Sequence, residues 1–184
     1  MNFIPKTYQT KSNHPLIIRE AIPEDADQLL KLKLEYLKDT ETIPLFDYEY
    51  SNNITEEYQL IKKYQKESNS ILLVAENEGN LVGNIDLTGS RRKKLQHTGM
   101  IGMGIHTQWQ NQGVGTHLIQ NVLDWAGNND FISLIWLEVY ATNQAGIALY
   151  QKMGFKEVGR IDAFFHENEK FIDKITMIKH LTQD

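Results

Sequence analysis

Apolar residues along this chain recur with two periods, and the changes of period mark out its elements. Leu16 to Ile22 alternates apolar with polar positions and reads as a first strand. Pro23-Glu24-Asp25 then supplies a proline and acids suited to a helix start, and Leu29, Leu30, Leu32, Leu34 and Leu37 follow it. A second helix is expected over Glu56 to Glu67. Ile71 to Glu76 and Leu81 to Leu87 read as two strands, and Glu78-Gly79-Asn80 between them suits a tight hairpin turn. Met100 to His106 is a short apolar run that reads as a buried strand, whereas Leu118, Ile119, Val122, Leu123 and Trp125 or Ala126 recur at helical spacing. Ile132 to Tyr140, Phe155 to Ile161 and Phe171 to Ile178 supply further strands, the last two linked by the polar segment Asp162 to Lys170. Met1 to Pro15 is polar and aperiodic and reads as a loosely held arm. This order of elements predicts an α/β (α+β) fold with a mixed, largely antiparallel sheet.

The most informative loop lies where the period changes from strand to helix. Gln110-Asn111-Gln112-Gly113-Val114-Gly115 ends an apolar strand and opens an amphipathic helix, whose first turn leaves backbone N–H groups without intrahelical partners. Glycines at 113 and 115 allow positive φ and close approach, and the helix dipole adds positive charge at the same end. The stretch reads as an anion cradle, which implies a phosphate-bearing cofactor. An ordinary strand-to-helix turn is the other reading. No lysine follows the second glycine, against a P-loop, and Leu118 stands where the third glycine of the dinucleotide fingerprint belongs.

A second motif follows downstream: Leu137-Glu138-Val139-Tyr140-Ala141-Thr142-Asn143-Gln144-Ala145-Gly146-Ile147-Ala148-Leu149-Tyr150-Gln151-Lys152-Met153-Gly154-Phe155. With Gln110-x-x-Gly113-x-Gly115 before it, the chain closely resembles the GNAT superfamily of acetyl-CoA-dependent N-acetyltransferases, over one domain spanning 16–181. The resemblance implies a sheet of six to seven strands with a V-shaped splay, flanked by about four helices. It implies that Gln110, Asn111, Gln112, Gly113, Val114, Gly115 and Thr116 hold the cofactor's pyrophosphate. Ile105, His106 and Thr107 would pair with its pantetheine arm, and Asn143 would contact that arm as well. Asparagine is also a common helix N-cap, and both roles can hold at once.

The implied reaction moves an acetyl group from acetyl-CoA to a primary amine by direct attack in a ternary complex. Tyr150 matches the family tyrosine that protonates the departing thiolate; a core aromatic is its bland reading. Many members carry a glutamate base on the strand before the cradle, but here that strand is Met100-Ile101-Gly102-Met103-Gly104-Ile105-His106. Glu138 is the preferred replacement, placed as in the ribosomal-protein alanine N-acetyltransferases and flanked by Trp136 and Tyr140 on its own face, an environment that can raise a carboxyl pKa. A structural carboxylate is the alternative. Asp86 and His97 are weaker candidates. The departure keeps a rival reading open, a non-catalytic acyl-CoA-binding module or sensor.

Phe46, Tyr48 and Tyr50, in the aperiodic stretch Asp39 to Asn53, form either an acceptor wall or an edge of the core. Phe164 and Phe165 mark either a homodimer contact or a substrate wall. Arg91-Arg92-Lys93-Lys94 reads as a solvated loop or as a contact for the CoA 3′-phosphate or an acidic acceptor. The acceptor itself, a small-molecule amine or a protein N-terminus, is not chosen by these motifs.

Composition narrows the field further. The chain has 184 residues and a formal charge of −5, which gives no electrostatic reason to expect nucleic acid. Apolar content of 41% contains no run of membrane-spanning length, and the N-terminus lacks a secretory apolar segment, so a cytoplasmic protein without a membrane partner is expected. There is no cysteine, and six histidines fall in no paired spacing, so no metal is expected. No Gly-x-Ser-x-Gly elbow supports a serine hydrolase.

Overall fold

The computed structural model describes residues 3–181, which form one eight-stranded sheet with four α-helices. The strands are β1 (Lys6–Gln9), β2 (Pro15–Glu20), β3 (Ile71–Asn77), β4 (Asn80–Gly89), β5 (Thr98–Ile105), β6 (Leu134–Tyr140), β7 (Lys156–Glu167) and β8 (Lys170–His180). The helices are α1 (Ala26–Asp39), α2 (Ile54–Lys66), α3 (Val114–Gly127) and α4 (Gln144–Lys152). Spatial order is β1-β2-β3-β4-β5-β6-β8-β7. Strands β5 and β6 run parallel and the other pairs antiparallel, so the sheet is mixed and mostly antiparallel as expected.

Alternation along the strands builds two apolar layers. Leu16, Ile18, Leu73, Ile85, Leu87, Ile101, Ile135, Leu137 and Val139 pack with Leu118, Ile119 and Val122 of α3 on one face. Leu72 and Val74 pack on the other face with Leu29, Leu32 and Tyr36 of α1 and Ile61 and Tyr64 of α2. Each fully buried leucine or isoleucine contributes roughly 1.5–3 kcal/mol of transfer free energy. The helix starts follow local chemistry. Asp25 accepts the Ile22 N–H at 2.8 Å and grips Arg19 with both carboxylate oxygens at 2.7 and 2.8 Å. Asn53 caps α2 by accepting the Thr55 N–H at 2.9 Å.

Three boundaries differ from the sequence reading. The first fifteen residues, expected as a loose arm, contain β1, which pairs Lys6 with Ile18 and Gln9 with Pro15; this strand brings the count to eight rather than six to seven. Lys-Thr-Tyr-Gln shows no apolar alternation because a single side chain, Tyr8, makes its contact with the core. Tyr8 stacks on His117 of α3 at 4.1 Å, and its hydroxyl accepts Asn121 Nδ2 at 2.9 Å. Strand β7 continues through Glu167, past a bulge between Ile161 and Phe165, where a polar linker was expected after Ile161. Helix α2 begins at Ile54, its cap at Asn53 preceding the expected start.

Candidate active site

The β5–β6 ladder stops early. Thr98, Gly99 and Met100 pair with Leu134, Ile135 and Trp136, after which the strands run on to Ile105 and Tyr140 without pairing to each other. This is the V-shaped splay that the resemblance implied. On its other side β5 stays paired with β4, and His106 N–H donates to Val82 O at 3.0 Å. Ladder bonds alternate along an antiparallel pair, so Gly102 and Gly104 share the orientation of His106. Beyond the last bond of the β5–β6 ladder, the Ile101 carbonyl, both main-chain groups of Met103 and the Ile105 N–H therefore turn into the opening, a short row of partners for an extended, amide-bearing ligand.

Past Ile105 the chain makes one turn of 3₁₀ helix, Thr107–Trp109, and enters the glycine loop. Gly113 has φ of 92° and forms the N-cap of α3. The bond from His117 N–H to Gly113 O, at 3.2 Å, leaves the N–H groups of Val114, Gly115 and Thr116 at the open helix end. A Cβ on Gly115 would stand 3.0 Å from Leu149 and 3.2 Å from Ile105, so glycine there lets α3 seat against both β5 and α4. Free N–H groups, a helix dipole and two small residues fit a phosphate-bearing group. Gln110 is turned back on the strand, its Nε2 donating to Ile105 O at 3.3 Å.

Neighbours that no local pattern announced support this loop. Lys11 N–H donates to Gln112 O at 3.0 Å, Ser12 Oγ donates to Gln112 Oε1 at 2.7 Å, and His14 lies edge-on to Trp109. From the other side, Glu35 Oε2 of α1 lies 3.7 Å from His106 Nε2. His106 Nδ1 accepts the Gln108 N–H at 3.3 Å. Asn111 has φ of 61°, a left-handed conformation that asparagine tolerates.

Asn143 caps α4, its side-chain oxygen accepting the Gly146 N–H at 2.9 Å. Leu149 packs on Gly115, so α4, the helix that carries Tyr150, abuts the first turn of α3. Tyr150 meets Phe155 edge to face, and its hydroxyl has no hydrogen-bond partner among the described residues. Burial pushes the phenol up to about 12, so it stays protonated at neutral pH and can act as a proton donor.

Trp136, Glu138 and Tyr140 face the α1–α2 side of the sheet, as do Met100, Gly102 and Gly104, while Leu137 and Val139 face the core beneath α3. The group that meets the Glu138 carboxylate is an ammonium: Lys174 of β8 donates to Oε1 at 2.7 Å. Lys174 also lies 3.7 Å over the Phe164 ring, and Phe165 stacks on Tyr140 at 4.0 Å. Sequence spacing identified the aromatic neighbours of Glu138 but not Lys174, which arrives through cross-strand register.

A second carboxylate shares this face. Asp86 of β4 pairs with Gly102 of β5, and its Oδ2 accepts the Tyr64 hydroxyl at 3.0 Å and the Thr88 hydroxyl at 3.1 Å. Burial raises its pKa from the ordinary carboxylate value, opposed by those two hydrogen bonds. Around it, Tyr36 donates to Asn84 at 3.2 Å, and Lys33 bonds Glu57 at 2.7 Å and Tyr50 at 2.9 Å. Tyr50 therefore ties the aperiodic segment to the helices, whereas Phe46 and Tyr48 stack on each other in solvent.

Other candidates lie elsewhere. His97 precedes β5, at the end away from the cradle, where its carbonyl accepts Ser133 and Leu134 N–H groups. The run Arg91 to Lys94 sits at that same far end, with Arg91 bonded to Glu67 at 2.6 Å. A groove of about 630 Å³ lies along α1 beside Asp47, Tyr48 and Ile54, and it includes neither Tyr150 nor Glu138 nor the cradle. Among the described residues, no group of three or more His, Asp or Glu is placed to hold a metal, and no helix is long and apolar enough to cross a membrane.

Comparison with known proteins meets this geometry. Residues 34–155 match the model of the acetyltransferase (GNAT) family. The L-amino acid N-acetyltransferase AaaT of Escherichia coli is 26% identical over 107 residues, which span 58% of this chain and 66% of that protein. The match thus stops just short of two thirds of the curated relative. A GNAT-family acetyltransferase of Streptococcus pneumoniae superposes with a TM-score of 0.87 at 30% identity, covering 91% of this chain and 99% of that one. The Salmonella typhimurium protein yncA, solved with its cofactor acetyl-CoA, shares the fold at a TM-score of 0.81 and 18% identity, covering 92% and 95%. With two thirds of its residues matching the family model and the whole fold superposing on a family member, this chain belongs to the acetyltransferase (GNAT) family.

Proposed function

We propose that the protein transfers an acetyl group from acetyl-CoA to a primary amine by direct attack within a ternary complex. The observation that carries this reading is the β5 backbone beyond Met100, no longer paired with β6, leading into the N–H cradle at Gly113 to Thr116; the Tyr150 hydroxyl, without a hydrogen-bond partner among the described residues and carried on the helix that packs against that cradle, supports it. In this reading Gln110, Asn111, Gln112, Gly113, Val114, Gly115 and Thr116 hold the diphosphate. Ile105, His106 and Thr107 line the pantetheine path, and Asn143, while capping α4, flanks it. Tyr150 gives its proton to the departing thiolate. The amine enters from the α1–α2 face, where an alkyl ammonium with a pKa of about 10.4 must first lose a proton. Two carboxylates look onto that face, Glu138 and Asp86.

The acceptor is a small-molecule amine or a protein N-terminus. The E. coli relative's name points to amino acids, and a panel should begin with them. Thiol release from acetyl-CoA with amino acids, polyamines, aminoglycosides and N-terminal peptides tests the proposal. Release that depends on one amine class supports transfer. Tight acetyl-CoA binding without release by any amine supports the second reading, an acyl-CoA-binding module, which the lack of a carboxylate on β5 favours.

A further inference from the structure

We infer that Asp86 is the catalytic base that receives the proton of the acceptor ammonium, in the place left empty by the missing β5 glutamate. The inference rests on the acetyl-transfer reading and adds a residue to it. Three observations on the backbone and side chains converge. Asp86 pairs across the ladder with Gly102, two residues beyond Met100, the last β5 residue that pairs with β6. Its carboxylate therefore stands beside the mouth of the splay. Gly102 is exposed, and a Cβ built on it would lie 3.2 Å from Asp86 Oδ1. Any larger residue would cover that oxygen, whereas glycine leaves a window above it. Finally, the two oxygens are used unequally: Oδ2 accepts both Tyr64 and Thr88, and Oδ1 accepts no side-chain hydrogen bond among the described residues. One oxygen is anchored and the other is presented.

Glu138 shows the opposite arrangement. Its Oε1 is bound to Lys174, so taking a proton there would weaken an existing ion pair. The groups that act on Asp86 are Tyr64 from α2, Tyr36 and Lys33 from α1, Tyr50 from the segment between those helices, and Thr88 from its own strand. Lys33 is neutralised by Glu57, which leaves Asp86 without a direct cationic partner. Burial shifts its pKa upward, the direction that suits a base working near neutral pH.

The proton and electron count closes with these residues. Asp86 Oδ1 takes one proton from the ammonium, directly or through one water, and the freed nitrogen lone pair forms the C–N bond at the acetyl carbon. The C–S bond breaks as the carbonyl re-forms, with its electron pair leaving on sulfur. Tyr150 protonates that thiolate and recovers its proton from the nitrogen of the new amide, and the proton held by Asp86 passes to solvent.

The test compares wild type, Asp86→Asn and Glu138→Gln for thiol release with the best amine, from pH 5 to 10, alongside acetyl-CoA affinity by calorimetry. Asp86→Asn is expected to lower kcat/KM at least 100-fold and to remove the ascending acid limb, with acetyl-CoA affinity within twofold of wild type. Glu138→Gln is expected to keep that limb. Asp86→Glu, which retains the carboxylate at the cost of one methylene, should recover part of the rate. An unchanged pH profile in Asp86→Asn, or loss of the limb only in Glu138→Gln, overturns Asp86 while transfer itself stands. A wild type that binds acetyl-CoA but acetylates no amine overturns both readings together.

Discussion

The ring of Tyr36 lies directly on Gly104, so close that a Cβ at 104 would overlap the ring carbons. One glycine of β5 thus seats α1 on the sheet, while Gly102, two residues earlier, opens onto Asp86. Gly104→Ala should push the ring away, break the Tyr36–Asn84 hydrogen bond and cost about 1–3 kcal/mol of overpacking. Tyr36→Phe, which loses only the hydroxyl, should cost about 1 kcal/mol. Urea unfolding of both variants checks the order; equal losses would refute the contact argument.

The cradle offers a binding prediction. Gly113 is left-handed at φ 92°, a conformation that costs an L-residue roughly 1–2 kcal/mol. Gly113→Ala should weaken acetyl-CoA binding about tenfold, through a displaced loop, and leave unfolding cooperativity intact. Calorimetric titration with acetyl-CoA measures it.

Tyr150→Phe should lower kcat by on the order of 10²-fold while acetyl-CoA affinity changes little, since only the hydroxyl is removed. Because burial holds the phenol at about 12, the wild-type kcat profile should show no descending limb from this group below about pH 11. A tyrosine limb near pH 9 would contradict this environment.

The Lys33–Glu57 pair is almost inaccessible, with side-chain exposures of 9% and 2%, and Tyr50 bonds both partners. Lys33→Met leaves a buried carboxylate without its cation and should cost about 3–5 kcal/mol. Adding Glu57→Leu should recover most of that loss. A double variant no more stable than Lys33→Met would show that the pair does more than neutralise itself.

Asp86 links pH to stability with a definite sign. Its folded pKa is raised above the unfolded value, so between the two the folded state holds more protons and stability falls as pH rises. Asp86→Asn removes that dependence and keeps an acceptor for Tyr64. It should be at least as stable as wild type at pH 8, with the advantage shrinking toward pH 4. A marked loss of stability at pH 8 would count against a carboxylate kept for chemistry at a cost in stability.

Much of the fold was legible because its strands alternate and its helices are amphipathic. Leu16 to Ile18, the hairpin at Glu78-Gly79 and the run Leu118 to Ala126 each carry their own signal. The cradle and the capped helix at Asn143 were legible as contiguous motifs. Lys174, Tyr64, Ser12 and the Gly102 window were not. Each reaches the site across 16 to 100 residues of chain, through a register that periodicity does not encode. Strand β1 was missed for a related reason: it is stabilised by its neighbours' hydrogen bonds and by a ring on His117, and its own four residues have no apolar face.

The contact between Ser12 and Gln112 spans one hundred positions of the sequence. Closing so large a loop carries an entropic cost that must be met before the contact itself contributes. The loop from Gln110 to Gly115 should therefore order late during folding and be among the first parts to loosen when the β1–β2 hairpin is clipped. An N-terminal truncation or bulky tag placed next to Lys11 would then register first in acetyl-CoA affinity, well before any change in melting temperature.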